Sequence, residues 1–200
     1  MRAVLLCALV LLLYGCKKEQ GDLPPVWSSP PDTTGFVKYT IQAGTHYATQ
    51  NPFTPIEKRE LNFVVWFDSS AIYQSATTEN QSDINKLYGF SDNGAEHHQY
   101  SARFGWRWSA GALRLFAYVY NGGEVLSSEL GPVPIGAALR CRIKIASDRY
   151  EFSGGEYEQS LPRKSTTAVG KGYLLYPYFG GDEPAPHTVT IWIKELPAGG

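Results

Sequence analysis

Tyr100-Ser101-Ala102-Arg103-Phe104-Gly105-Trp106-Arg107-Trp108-Ser109-Ala110-Gly111-Ala112-Leu113-Arg114-Leu115-Phe116-Ala117-Tyr118-Val119-Tyr120 is the stretch that decides the fold. Apolar and polar side chains alternate with period two on either side of Ala110-Gly111, the pattern of two half-buried strands joined by a short turn. With a two-residue turn, Trp108 lies opposite Leu113, Trp106 opposite Leu115, Phe104 opposite Ala117 and Ala102 opposite Val119, and that face is wholly apolar. The other face sets Arg107 against Arg114, Gly105 against Phe116, Arg103 against Tyr118 and Ser101 against Tyr120. A three-residue turn would mix both faces, so the coherent partition selects the first register. Arg107 and Arg114, like charges directly opposite, need an acid nearby, from the protein or from a ligand.

Outward from this hairpin the same period recurs. Residues 36–42, 61–67, 139–145, 149–152, 173–179 and 189–193 read as strands, with clusters of Gly, Pro, Asn and Asp between them. Residues 72–87 have room for a helical turn or two, but their Ser, Thr, Asn and Gln content argues for loop. No strand-helix-strand spacing is present, so the expected class is all-β: an antiparallel two-sheet β-sandwich of jelly-roll type over residues 36–196, with 197–200 as a C-terminal tail. Aromatic residues at 14% and a single Met agree with strands and turns over helices. A formal net charge of −1 gives no global field for nucleic acid, which is excluded as a partner.

The chain starts differently. Met1-Arg2 is followed by an apolar run from Ala3 to Leu13, roughly a dozen residues, too short to span a bilayer but suited to a signal peptide. Leu13-Tyr14-Gly15-Cys16 resembles the lipobox of bacterial lipoproteins. That resemblance implies a signal peptide at 1–15, cleavage before Cys16, lipidation of Cys16 and membrane lipid as a partner. An ordinary secretory signal cut elsewhere, or an uncleaved anchor, would also export the chain. Residues 16–35 are polar and then proline-punctuated, as expected of a flexible tether. Lys17 stands where an aspartate would signal inner-membrane retention, so the resemblance implies an outer-membrane location, facing the periplasm or the cell surface. With Cys7 and Cys16 accounted for, Cys141 is left alone. It alternates with Leu139, Ile143 and Ile145 and reads as a core residue.

Three groups of residues carry possible chemistry. Arg103, Arg107, Arg114, Tyr118 and Tyr120 share the outer hairpin face, where guanidinium forks suit carboxylates or sulfates and tyrosine rings suit sugar faces. The plain alternative is a solvated sheet face with local Glu or Asp pairing. Arg140, Arg142 and Lys144 could extend that basic surface or simply face solvent. His46, His97, His98 and His187 sit in turns, with no spacing that supports a metal site, and no metal or cofactor is expected. In Tyr173-Leu174-Leu175-Tyr176-Pro177-Tyr178-Phe179-Gly180-Gly181, alternation puts Tyr176 and Tyr178 on one face as a sugar-stacking wall, or as a rim that closes the sandwich.

The succession of aromatic strands ending in Tyr176-Pro177-Tyr178-Phe179-Gly180-Gly181 and Thr188-Val189-Thr190-Ile191-Trp192-Ile193 resembles the concanavalin A-like jelly rolls. These include glycan-binding modules, family 7-type polysaccharide lyases and family 16-type glycoside hydrolases. The Glu-x-Asp-x-x-Glu strand of the hydrolases is absent, which removes their carboxylate pair. Resemblance to the lyases implies His98, Gln99, Arg103 and Tyr178 as catalytic candidates, with Arg103 neutralising a uronate carboxylate and His98 or Tyr178 moving the proton, although order and spacing depart from the lyase motifs. Three functions follow: binding of a polysaccharide or oligosaccharide, acidic in character, through Arg103, Arg107, Arg114, Tyr118, Tyr120, Tyr176 and Tyr178; β-elimination on uronate glycans; or a structural or assembly role through protein contacts. The first two require Arg103 and Tyr118 to project away from the core, and Phe104 and Trp106 to lie within it.

Overall fold

The computed structural model describes residues 28–197. The signal peptide, Cys16, most of the tether and the residues after 197 lie outside them. Twelve strands follow in order: β1 (Val37–Ile41), β2 (Pro55–Lys58), β3 (Glu60–Phe67), β4 (Asn85–Ser91), β5 (Tyr100–Ser109) and β6 (Ala112–Asn121). Then come β7 (Glu124–Val133), β8 (Ala138–Ile145), β9 (Arg149–Gly154), β10 (Tyr157–Pro162), β11 (Gly170–Leu175) and β12 (Val189–Leu196). One antiparallel sheet runs β1-β12-β3-β8-β9-β10 and the other β2-β11-β4-β5-β6-β7. The expected two-sheet jelly roll is the observed architecture.

The hairpin register is the expected one at every pair, from Ser101 opposite Tyr120 to Trp108 opposite Leu113. Ala110 and Gly111 both have positive φ, 51° and 72°, the backbone of a two-residue turn whose twist matches the flanking strands. Ala102, Phe104 and Trp106 are fully buried between the sheets, with Phe63, Phe67, Cys141 and Phe152 from the opposite layer. Phe63 and Phe152 meet Phe104 edge-to-face at 5.7 and 5.3 Å. Each such ring contributes roughly 1.5–3 kcal/mol of burial.

Four strands were not legible as strands: β2, β4, β7 and β10. Residues 72–84 are loop apart from a single 3-10 turn at Glu79–Ser82, and β4 begins at Asn85. It breaks alternation by burying Leu87 and Tyr88 in succession, with a register shift between Lys86 and Gly89. β11 is shorter than expected and ends at Leu175, before Pro177, whose missing N–H cannot continue the ladder. At the other end, Pro30 is buried and the Lys194 ammonium donates to the Thr34 carbonyl at 3.0 Å, so the segment leading into β1 is fastened to β12.

Candidate functional site

Arg103 sits at the middle of β5, on the face turned away from the core, with Tyr118 of β6 beside it and Gly89 of β4 on the other side. Gly89 is required by close approach: a β-carbon there would lie 2.2 Å from the Ala102 carbonyl oxygen and 2.3 Å from the Arg103 Cβ. Arg103 and Tyr118 project away from the core, as expected, but they do not form a solvated face. They are only 6% and 7% exposed, because the segments around residues 47–53 and 173–180 fold over that face.

Burial leaves the Arg103 guanidinium without a counter-charge. No carboxylate lies within ion-pairing distance, and its Nε has no hydrogen-bond partner among the described residues. Its surroundings are phenolic. The Tyr118 ring centre lies 6.0 Å from Cζ, and the hydroxyls of Tyr118, Tyr120, Tyr178 and Tyr173 partly offset the burial that pulls the guanidinium pKa down to about 10. Arg103 therefore stays charged at neutral pH.

A cleft of about 230 Å³ opens beside it, walled by Tyr47, Phe53, His97, Tyr173 and Tyr178. The aromatic wall follows from the end of β11. Past Leu175 the chain leaves the sheet and rejoins β4 through reciprocal backbone hydrogen bonds between Tyr178 and Lys86, at 2.8 and 2.9 Å. Tyr178 then stacks on His46 at 5.3 Å and takes the edge of Tyr47 at 5.0 Å. Tyr176 borders the cleft as well, but from within the core. Its ring packs in the core on Tyr39 and Tyr88, at 5.7 and 5.8 Å, and its hydroxyl meets Thr54 at 2.8 Å. The interruption at Pro177 offsets the alternation that the sequence suggested.

The other expected residues divide. Arg114 is paired with Glu129 at 2.7 Å, and Arg107 donates to the Ser82 carbonyl with its guanidinium 4.8 Å above Phe116, so neither lines the cleft. The acid that this pair of arginines needed comes from the protein. Tyr118 and Tyr120 flank Arg103 but lie outside the cleft wall. His98 is exposed, with Tyr120 at 5.3 Å, and Gln99 is exposed beside the β6–β7 turn, so the expected catalytic pair stands off the cleft.

Its neighbour His97 takes the place in the wall. His97 Nδ1 is 3.1 Å from the Tyr173 hydroxyl; burial, then the charges of Arg103 and His98, lower the imidazole pKa to about 4 against the pull of Glu96. Two adjacent histidines in a turn give no period by which one could be chosen over the other. Lys86 also escaped sequence reading, because β4 did. Its ammonium donates to the Gly180 carbonyl at 2.9 Å and lies 5.1 Å from the Tyr118 ring centre. Burial first, then Arg103, lowers its pKa to about 8, with Asp83 opposing. Among the described residues, no three His, Cys, Asp or Glu side chains gather as a metal site.

No known family profile and no curated protein matches the chain. Solved structures do. The laminarinase catalytic domain from Thermotoga maritima MSB8 is similar at TM-score 0.52 and 9% identity, over 82% of this chain and 79% of that one. The alginate lyase AlyC3 is similar at TM-score 0.50 and 9% identity, over 80% of this chain and 74% of that one. AlyC3 in complex with dimannuronate gives TM-score 0.51 at 8% identity, over 80% and 73%. At such identities the likeness establishes the fold alone: a two-sheet antiparallel jelly roll.

Proposed function

We propose that the protein binds an acidic polysaccharide, with a sugar carboxylate on Arg103 and sugar faces against Tyr178, Tyr47 and Tyr173. The observation that carries this reading is a buried, charged guanidinium without an acid partner at the floor of an aromatic cleft. A carboxylate entering there supplies the missing charge in a poorly hydrated setting, where a paired, hydrogen-bonded contact is strongest. The fold neighbours support a polysaccharide ligand by their names alone, one of them holding dimannuronate. Calorimetric titration with acidic oligosaccharides, before and after reduction of their carboxyls to alcohols, tests the reading. Reduction should abolish binding; equal affinity for both forms would overturn it.

Elimination is the second reading, favoured by Tyr178 and His97 lining the same cleft as Arg103. Arg103 would neutralise the carboxylate and acidify the adjacent C–H, a base would take that proton as the carbon–carbon double bond forms and the bond to the glycosidic oxygen breaks, and an acid would protonate the departing oxygen. Burial raises the Tyr178 pKa above that of an ordinary phenol, and at about 4 His97 is a weak base. Neither is matched to proton abstraction near neutral pH, so binding is preferred. Ultraviolet absorbance of unsaturated uronates, followed over a panel of uronate polymers, separates the two: a flat trace retires elimination.

We also propose that the domain is exported and held at the outer membrane by an acylated Cys16. Metabolic labelling with an alkyne fatty acid should mark the protein and fail on Cys16→Ala. Labelling that survives the substitution would contradict the anchor.

A further inference from the structure

We infer that the ligand is a mixed polysaccharide in which a uronate is followed by a neutral sugar, rather than a continuous polyuronate; this rests on the Arg103 reading above. The Arg103 cleft alone, at about 230 Å³, is smaller than the roughly 300–1,000 Å³ usual for ligand sites. It does not end at its own wall. Asn51, Pro52 and Tyr176 also border a second, wider depression of about 650 Å³, to which Val37, Tyr39 and Thr49 contribute. The two depressions are thus neighbours that share these three residues as a common border.

Their chemistry differs. The first has Arg103, with Lys86 behind Tyr178. Among the described residues, the second is lined by no charged side chain. Val37 presents an apolar surface there at 48% exposure, and the adjacent cation, Lys38, is turned to the opposite face of β1, with its ammonium 5.8 Å from the Trp192 ring centre. Burial, Tyr176 and the negative field of Glu195 push the Tyr39 hydroxyl up to about 12, so it stays a neutral hydroxyl there. A sugar following the uronate therefore meets apolar surface and amide or hydroxyl groups. A second carboxylate placed there would meet no cation, whereas a neutral sugar can lay an apolar face against Val37 and Pro52. The exposed rings of Phe53 and Tyr47, at 75% and 62%, stand on the rim of the first depression, which suits a chain passing over the site.

The test is calorimetric titration of the protein with two sets of oligosaccharides of equal length. One set alternates glucuronate with a neutral sugar (hyaluronan and desulfated chondroitin fragments); the other is continuous (oligoglucuronate, oligomannuronate, oligogalacturonate). The best alternating ligand should bind about three- to tenfold more tightly than the best continuous one, the range expected for one sugar face gained or lost. Thr49→Lys, at an exposed position of the second depression, should erase that preference. Equal or tighter binding of a continuous ligand overturns the inference while leaving the Arg103 reading in place. Failure of both sets to bind, or binding unaffected by Arg103→Met, overturns the Arg103 reading itself.

Discussion

Arg103 and Arg163 are hidden to the same degree, at 6% and 7% exposure, in opposite surroundings. Arg163 follows β10 and points at Asp92, with Nε 2.9 Å from Oδ2, while its Nη2 donates to Ser165 and the Thr167 carbonyl. Asp92 also accepts from the Tyr150 hydroxyl and the Lys171 N–H. Burial alone would raise the Asp92 pKa, but the bonds from Arg163, Tyr150 and the backbone outweigh it and hold it below the ordinary range. Arg103 has none of this. One guanidinium is used by the fold, and the other is kept charged and short of partners on a face that a ligand can reach. Burial by itself therefore says little about role; the completeness of the partner set separates a strut from a recognition group.

The largest expected effect is on the strut. Arg163→Met should cost about 3–5 kcal/mol in chemical denaturation, because Asp92 is left buried and unpaired. A cost under about 1 kcal/mol would break the contrast. Phe104→Ala should cost a similar 3–5 kcal/mol. Phe104 is the immediate neighbour of Arg103, so this result separates the two faces of β5; a ligand effect without destabilisation would mean that the faces are misassigned.

Smaller effects sharpen the site. Tyr178→Ala should weaken binding of an acidic oligosaccharide by about three- to tenfold, as expected for loss of one ring face. Unchanged affinity would remove Tyr178 from the wall. A pH slope in stability reports on the same site. His97 takes its proton at about 4 in the folded protein and near 6.5 when unfolded, so the unfolded chain binds the extra proton between those values, and stability falls as pH drops through that window. His97→Gln should flatten the slope. In Arg103→Met, the His97 imidazole should titrate higher than in the wild type by NMR; an unmoved titration would place Arg103 outside its field.

Legibility varied along the chain for physical reasons. The β5–β6 hairpin could be paired residue by residue because its two faces differ so sharply that a one-residue slip would put Phe104 and Trp106 in water. β4 was invisible, since its bulge before Gly89 buries consecutive residues and cancels the period, and with it went Lys86. Edge strands such as β10, Tyr157-Glu158-Gln159-Ser160-Leu161-Pro162, carry too few apolar residues to announce a face. Arg103 was identified, but its burial was not, because segments distant in sequence cover it. Tyr176 was misplaced by an alternation that Pro177 interrupts, and His98 was preferred to His97 where no period exists.

The central claim is that Arg103 is charged, buried and lacking an acid in the protein alone. The most direct measurement is denaturant unfolding of wild type and Arg103→Met, each with and without a saturating acidic oligosaccharide. Without ligand, Arg103→Met should be the more stable by about 1–3 kcal/mol, since an unpaired buried charge is removed. With ligand the order should reverse, because only the wild type gains from binding. A variant that is less stable without ligand, or a ligand that stabilises both proteins equally, would contradict the account.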